Sequence, residues 1–109
     1  MAKRPPKRSD RTVRREQERL ALRLQDERER LFSLERGGRP ERPIEAVSAA
    51  VIEAHASAVP CPRCGGSHEL LEHRALVQGG VRLRNVLLRC RKCGSQRSLW
   101  FQIVGPSLN

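Results

Sequence analysis

The chain of 109 residues carries 22 lysines and arginines against 12 aspartates and glutamates, a formal charge of +10. That length leaves room for one small domain with extensions, and no apolar run approaches the roughly 20 residues of a membrane span. The charge is uneven: residues 1–8 carry +4 with no acid, residues 9–43 carry ten basic and eight acidic side chains, residues 44–59 carry −2, and residues 60–109 carry +6.

Residues 1–8, with Lys3-Arg4-Pro5-Pro6-Lys7-Arg8, are expected to be a disordered basic arm. It reads either as a reach towards nucleic acid or an acidic partner, or as a solvated tail. More charge follows it and not an apolar run, so it is not expected to be a secretory leader. A charged amphipathic helix is expected over residues 9–36, capped by Ser9 or Asp10 and stopped at Gly37-Gly38. Val13, Gln17, Leu20, Leu24, Glu27, Leu31 and Leu34 follow a 4-3 repeat, five of the seven being apolar. This thin stripe suits a short coiled-coil seam or a helix that docks on a partner, with Leu20, Leu24 and Leu31 as the candidate contacts. Asp26 and Arg30 are expected to add a weak i,i+4 pair. Both signs are interleaved, so the helix is not read as a nucleic-acid-binding face.

Residues 37–43 read as a linker, and a second helix is expected over residues 44–59. Its apolar side would comprise Ile44, Val47, Val51 and Ile52, with Pro60 stopping it. His55, His68 and His73 are expected to pack and not to ligate.

All four cysteines fall in two C-x-x-C pairs, Cys61-Pro62-Arg63-Cys64-Gly65 and Cys90-Arg91-Lys92-Cys93-Gly94. Each pair lets two thiolates reach one metal from a tight turn, and together they would close a tetrahedral site with no position left for water. Two disulfides would suit a secreted protein, and a redox C-x-x-C would be single and beside a βαβ pattern. One structural Zn²⁺ is the expected cofactor, although iron takes the same four sulfurs. With zinc and four thiolates the net charge becomes about +8.

Between the pairs, residues 68–77 and 81–89 form two strand-length runs joined through Gln78-Gly79-Gly80, a hairpin signal. A third strand is expected over residues 98–104. There Leu99, Phe101 and Ile103 alternate with Trp100, Gln102 and Val104, so one face needs a cover. Trp100 reads as a core filler, a base-stacking ring or an interface anchor.

Over about residues 60–105 the chain resembles the zinc-ribbon superfamily, in which two cysteine turns clamp a three-stranded antiparallel sheet. The resemblance implies a small three-stranded antiparallel ribbon; with the two helices read before it, the first extended and separate, and a tail at residues 106–109, the expected fold class is α+β. It specifies fold better than function, because ribbons occur in transcription factors, ribosomal proteins, recombination proteins and as accessory modules of enzymes. Transcript-cleavage-factor ribbons act through two acidic residues at the hairpin tip. Here the tip is Gln78-Gly79-Gly80, so that activity does not carry over.

The leading expectation is nucleic-acid binding in transcription or a related DNA or RNA process. Arg82 and Arg84 share a face of the second strand with Arg74 placed across from them, and Arg89, Arg91, Lys92 and Arg97 surround the second cysteine turn. The same cations could instead only offset the metal's thiolates. The alternative is a protein-interaction adaptor using Leu20, Leu24, Leu31 and Trp100. No Ser/His/Asp set, paired carboxylates, phosphate loop or open metal site points to an enzyme. A cytoplasmic location is expected.

Overall fold

A computed structural model describes residues 9–105, so the basic arm and the tail expected at residues 1–8 and 106–109 lie outside the described residues. Helix α1 spans Asp10–Leu34, strand β1 Ile44–Ala46, helix α2 Ala49–Ala58, and strands β2, β3 and β4 span His68–Gln78, Val81–Cys90 and Gln96–Ile103. The strands form one sheet in the order β1-β4-β3-β2. The hairpin and β4 are antiparallel, but β1 runs parallel to β4, with Ile44 opposite Phe101 and Ala46 opposite Ile103.

The expected three-stranded antiparallel ribbon is therefore corrected to a four-stranded mixed sheet. The expected second helix also starts later, because Ile44–Ala46 is that extra strand. It occupies the edge β4 would otherwise expose, and Val104 N–H donates to Ala46 C=O at 2.9 Å. Ser48 caps α2 by accepting from Val51 N–H at 3.2 Å. The start of the segment read as a linker continues this edge, since Trp100 N–H donates to Gly37 C=O at 2.8 Å.

Helix α2 covers one face of the sheet. Ile52 and Ala56, one turn apart, press on Val86, Leu88, Leu99 and Phe101, with Ala46 completing the buried core. Val47 and Val51, assigned from sequence to the buried side, are exposed. The helix meets the sheet through Ala56, a residue small enough for close approach, and His55 stands edge-on to Phe101 with ring centroids 5.6 Å apart. Phe101, and not Trp100, is the aromatic that fills the core. Trp100 sits half-buried on the opposite face, in register with Asn85.

Helix α1 is not separate, contrary to the sequence expectation. Phe32 packs against the core, Asp26 pairs with Arg63 at 3.0 Å, and Glu29 receives Arg97 at 3.0 Å. Asp26 thus reaches the first cysteine turn, and Arg30 pairs instead with Glu27 at 2.6 Å. The stripe of Leu20, Leu24 and Leu31 lies on roughly the opposite side of the helix from Glu29 and about a quarter to a third of a turn from Phe32, with the three leucines 66, 50 and 50 % exposed.

Candidate metal centre

The four cysteine sulfurs converge because each turn is anchored to a strand. Cys90 ends β3 and lies opposite His68, the first residue of β2. Arg91 N–H donates to Ser67 C=O at 2.8 Å and so holds the second turn against the start of the hairpin. In both turns the glycine after the second cysteine folds back, Gly65 N–H donating to Cys61 C=O at 2.8 Å and Gly94 N–H to Cys90 C=O at 3.0 Å. Their φ values of 76° and 77° lie in the left-handed region, where a side chain would be strained.

All four sulfurs lie within 4.8 Å of one another; Cys61 and Cys93 are 3.7 Å apart and Cys64 and Cys90 3.4 Å. Zn–S bonds of about 2.3 Å in a tetrahedron require sulfurs about 3.8 Å apart, so this set fits one ion with small adjustment. Backbone amides point at the sulfurs as a thiolate site needs: Gly66 N–H to Cys64, and Lys92 and Cys93 N–H to Cys90, each at 3.4 Å. The cradle is tight, since a Cβ on Gly66 would come within 2.9 Å of the Cys90 sulfur.

Ser95 joins the site from just after the second turn. Its hydroxyl lies 3.0 Å from Cys93 Sγ and 3.6 Å from Cys61 Sγ. Burial pushes the Cys61 thiol up, but the Ser95 hydroxyl and the Cys64 and Arg63 amides outweigh it and bring it down to about 5. Ser95 also lowers Cys93. For Cys64 the Gly66 amide pulls downwards, yet burial and the neighbouring sulfurs prevail and push it up to about 11. Four sulfurs this close cannot all ionise unless a cation offsets them. The cysteines are free of disulfides.

Behind the metal turns lies a buried polar cluster. His68 Nδ1–H donates to Val59 C=O at 2.7 Å, which leaves Nε2 to accept from Arg97. Arg97 also donates to Ser95 Oγ at 2.8 Å and to both carboxylate oxygens of Glu29, and its guanidinium sits 5.9 Å from the Phe32 ring centre. Ser95, Glu29 and Asp26 thus serve the site although none of them was among the residues expected there. For Ser95 a signal was present: a hydroxyl immediately after C-x-x-C-G sits two residues from the ligand Cys93.

The candidate nucleic-acid residues do not form one surface. Because Gly79-Gly80 is a two-residue turn, Gln78 pairs with Val81, and Arg74 consequently pairs with Asn85. Arg74 therefore faces away from Arg82 and Arg84, not with them, and approaches Glu72. Arg89 is paired with Glu69, Arg97 is buried, and Arg84 contacts His73, which in turn donates to Glu53 of α2 at 3.0 Å. Arg82, Arg91 and Lys92 remain exposed with no ion pair among the described residues. Arg82 stands at the hairpin tip and the other two beside the metal, roughly 30 Å apart at a strand rise of about 3.4 Å per residue. Of the candidate partner contacts, the three leucines are solvent-facing and Trp100 is half-buried.

Among the described residues no helix is long and apolar enough to cross a membrane. Comparison with known proteins returns no match to a family model, a curated protein or a solved structure. Four cysteines are positioned to bind one metal ion, in an arrangement compatible with a zinc-ribbon-like module.

Proposed function

We propose that this protein is a non-enzymatic, zinc-stabilised interaction adaptor of the cytoplasm. A structural Zn²⁺ held by Cys61, Cys64, Cys90 and Cys93 would fix the two turns, and the turns hold α1 against the sheet. Four thiolates favour zinc, leave no position for a reacting water, and persist as free thiols in a reducing compartment. The observation that carries the reading is the two-sidedness of α1. One side is tied to the first metal turn through Asp26–Arg63 and to β4, just after the second turn, through Glu29–Arg97, while the other presents an unpaired leucine stripe. A helix held rigid by its polar side loses less entropy on docking its apolar side than a free helix would.

A photo-crosslinking amino acid at position 24, compared with one at position 82, tests this in cells expressing the full chain. The expected result is a discrete protein adduct from position 24 that disappears when Leu20 and Leu31 become alanine. An absence of any protein adduct at position 24 would overturn the reading.

Nucleic-acid binding is the second reading, favoured by the exposed, unpaired Arg91 and Lys92 beside the metal. Two phosphate contacts predict a log-log salt slope near −2, since each contributes about −0.9. Anisotropy titrations of the zinc-loaded protein against duplex DNA, single-stranded DNA and RNA should therefore show weak binding that falls about tenfold between 50 and 200 mM salt. A slope of −5 or steeper would restore the arginine-rich surface expected from sequence.

A further inference from the structure

The charges along the leucine stripe say what kind of surface it fits. Within the 4-3 repeat, Arg23 and Arg30 precede Leu24 and Leu31, while Ala21 and Arg28 follow Leu20 and Glu27. These are the positions that flank an apolar seam and choose its partner. Arg30 is neutralised by Glu27 of the same helix. Arg23 and Arg28 are not: on opposite edges of the stripe, both are exposed and make no ion pair among the described residues. The central seam therefore has a basic border on both sides.

That border opposes pairing with a second copy. A parallel pair would set Arg23 of each helix against Arg28 of the other. An antiparallel pair that overlaps Leu20 to Leu31 would set Arg23 against itself or Arg30, or Arg28 against itself. Glu27 would stand in the seam in either case. Like charges facing across a seam disfavour the pair, and carboxylates in the same places favour it.

We propose that the stripe of α1 docks an amphipathic helix of another protein, one whose apolar face is bordered by glutamate or aspartate. This rests on reading α1 as the docking element and adds the chemistry of its partner. Arg23 and Arg28 each meet a carboxylate, Leu20, Leu24 and Leu31 fill the seam, and Glu27 with Arg30 forms a polar layer within it.

The test uses the full zinc-loaded chain and two synthetic peptides of four heptads. Both carry leucine at the seam positions; one has glutamate and the other lysine at every flanking position. Titration by calorimetry should show the glutamate peptide binding at least tenfold more tightly, and the double substitution R23E/R28E should reverse the order. Sedimentation equilibrium of the protein alone should give a monomer in the tens of micromolar. Equal affinity for the two peptides, binding of neither, or a dimer that dissociates when Leu24 and Leu31 become alanine would each overturn the proposal. The crosslinking result separates the cases: a protein adduct at position 24 together with peptide indifference means that the adaptor reading holds and the acidic partner does not.

Discussion

Stripping the metal with a chelator is expected to melt the four-stranded sheet, and returning zinc to restore it. The reason is one of scale. The main core cluster comprises Ala46, Ile52, Ala56, Val86, Leu88, Leu99 and Phe101, two of the seven being alanine, with Leu83 buried apart from it. A structural zinc site contributes about 10–16 kcal/mol, as much as the whole net stability of a typical domain at about 5–15 kcal/mol. A core this small cannot replace that. The effect should be graded by ligand. Cys90 is buried, ends β3 and receives two backbone amides, so Cys90→Ala removes a ligand that also sets strand register, and the sheet is expected to collapse. Cys93 is exposed, and in Cys93→Ala three sulfurs and a water can still hold zinc, so a weakened fold should survive in excess metal. Far-ultraviolet circular dichroism and Trp100 fluorescence during chelation and zinc return check both. Cooperative thermal unfolding of the chelated wild-type chain would sink the idea.

How legible this was depended on the range of the interaction. The cysteine turns are local: two residues between ligands and a glycine behind them dictate their own shape, and the hairpin is set by Gly79-Gly80. Strand β1 was hidden because Ile44-Glu45-Ala46 is three residues long and gains its identity only from β4, more than fifty positions later. The docking of α1 was hidden for a different reason. Periodicity assigns Asp26 and Glu29 to solvent, since a charged residue off the apolar stripe is normally wet. Here those carboxylates, together with Phe32, attach the helix. Arg97 illustrates the same gap: counted as a charge it joined a phosphate-binding set, but its partners lie in α1 and β2, and only the fold reveals that it is already engaged. Helix α2 is an intermediate case: Ser48 is a recognisable cap, yet the apolar spacing from Ile44 extends the expected helix back to residue 44.

Removing Glu29 is expected to cost more than removing Arg97, although the two form one ion pair. The asymmetry follows from where each is left. The Arg97 side chain is 4 % exposed, wedged between His68, Ser95 and Phe32, whereas the Glu29 side chain is 31 % exposed on the helix. In Glu29→Ala the guanidinium stays buried without a counter-charge, and stranding a buried charge costs about 3 kcal/mol or more. In Arg97→Met the carboxylate left behind can turn to water and an apolar chain of similar length fills the space against Phe32, but the buried His68 Nε2 loses its donor, so a loss of about 1–2 kcal/mol is expected. His68 keeps its bond to Val59 in both. Glu29→Gln should fall between, retaining an acceptor for Arg97 but no charge. Urea unfolding in excess zinc gives the stabilities, and amide hydrogen exchange along α1 gives the local consequence. Exchange over the last three turns should rise in Glu29→Ala and also in Arg97→Met, because either change cuts the tie between the helix and β4. Combining Glu29→Leu with Arg97→Met should recover most of the loss, since no charge remains to be buried. A larger loss for Arg97→Met than for Glu29→Ala would mean that Arg97 acts mainly through Ser95 and the sulfurs. The helix would then be held by Phe32 and the Asp26–Arg63 pair, and its leucine stripe would be presented less rigidly than the adaptor role requires.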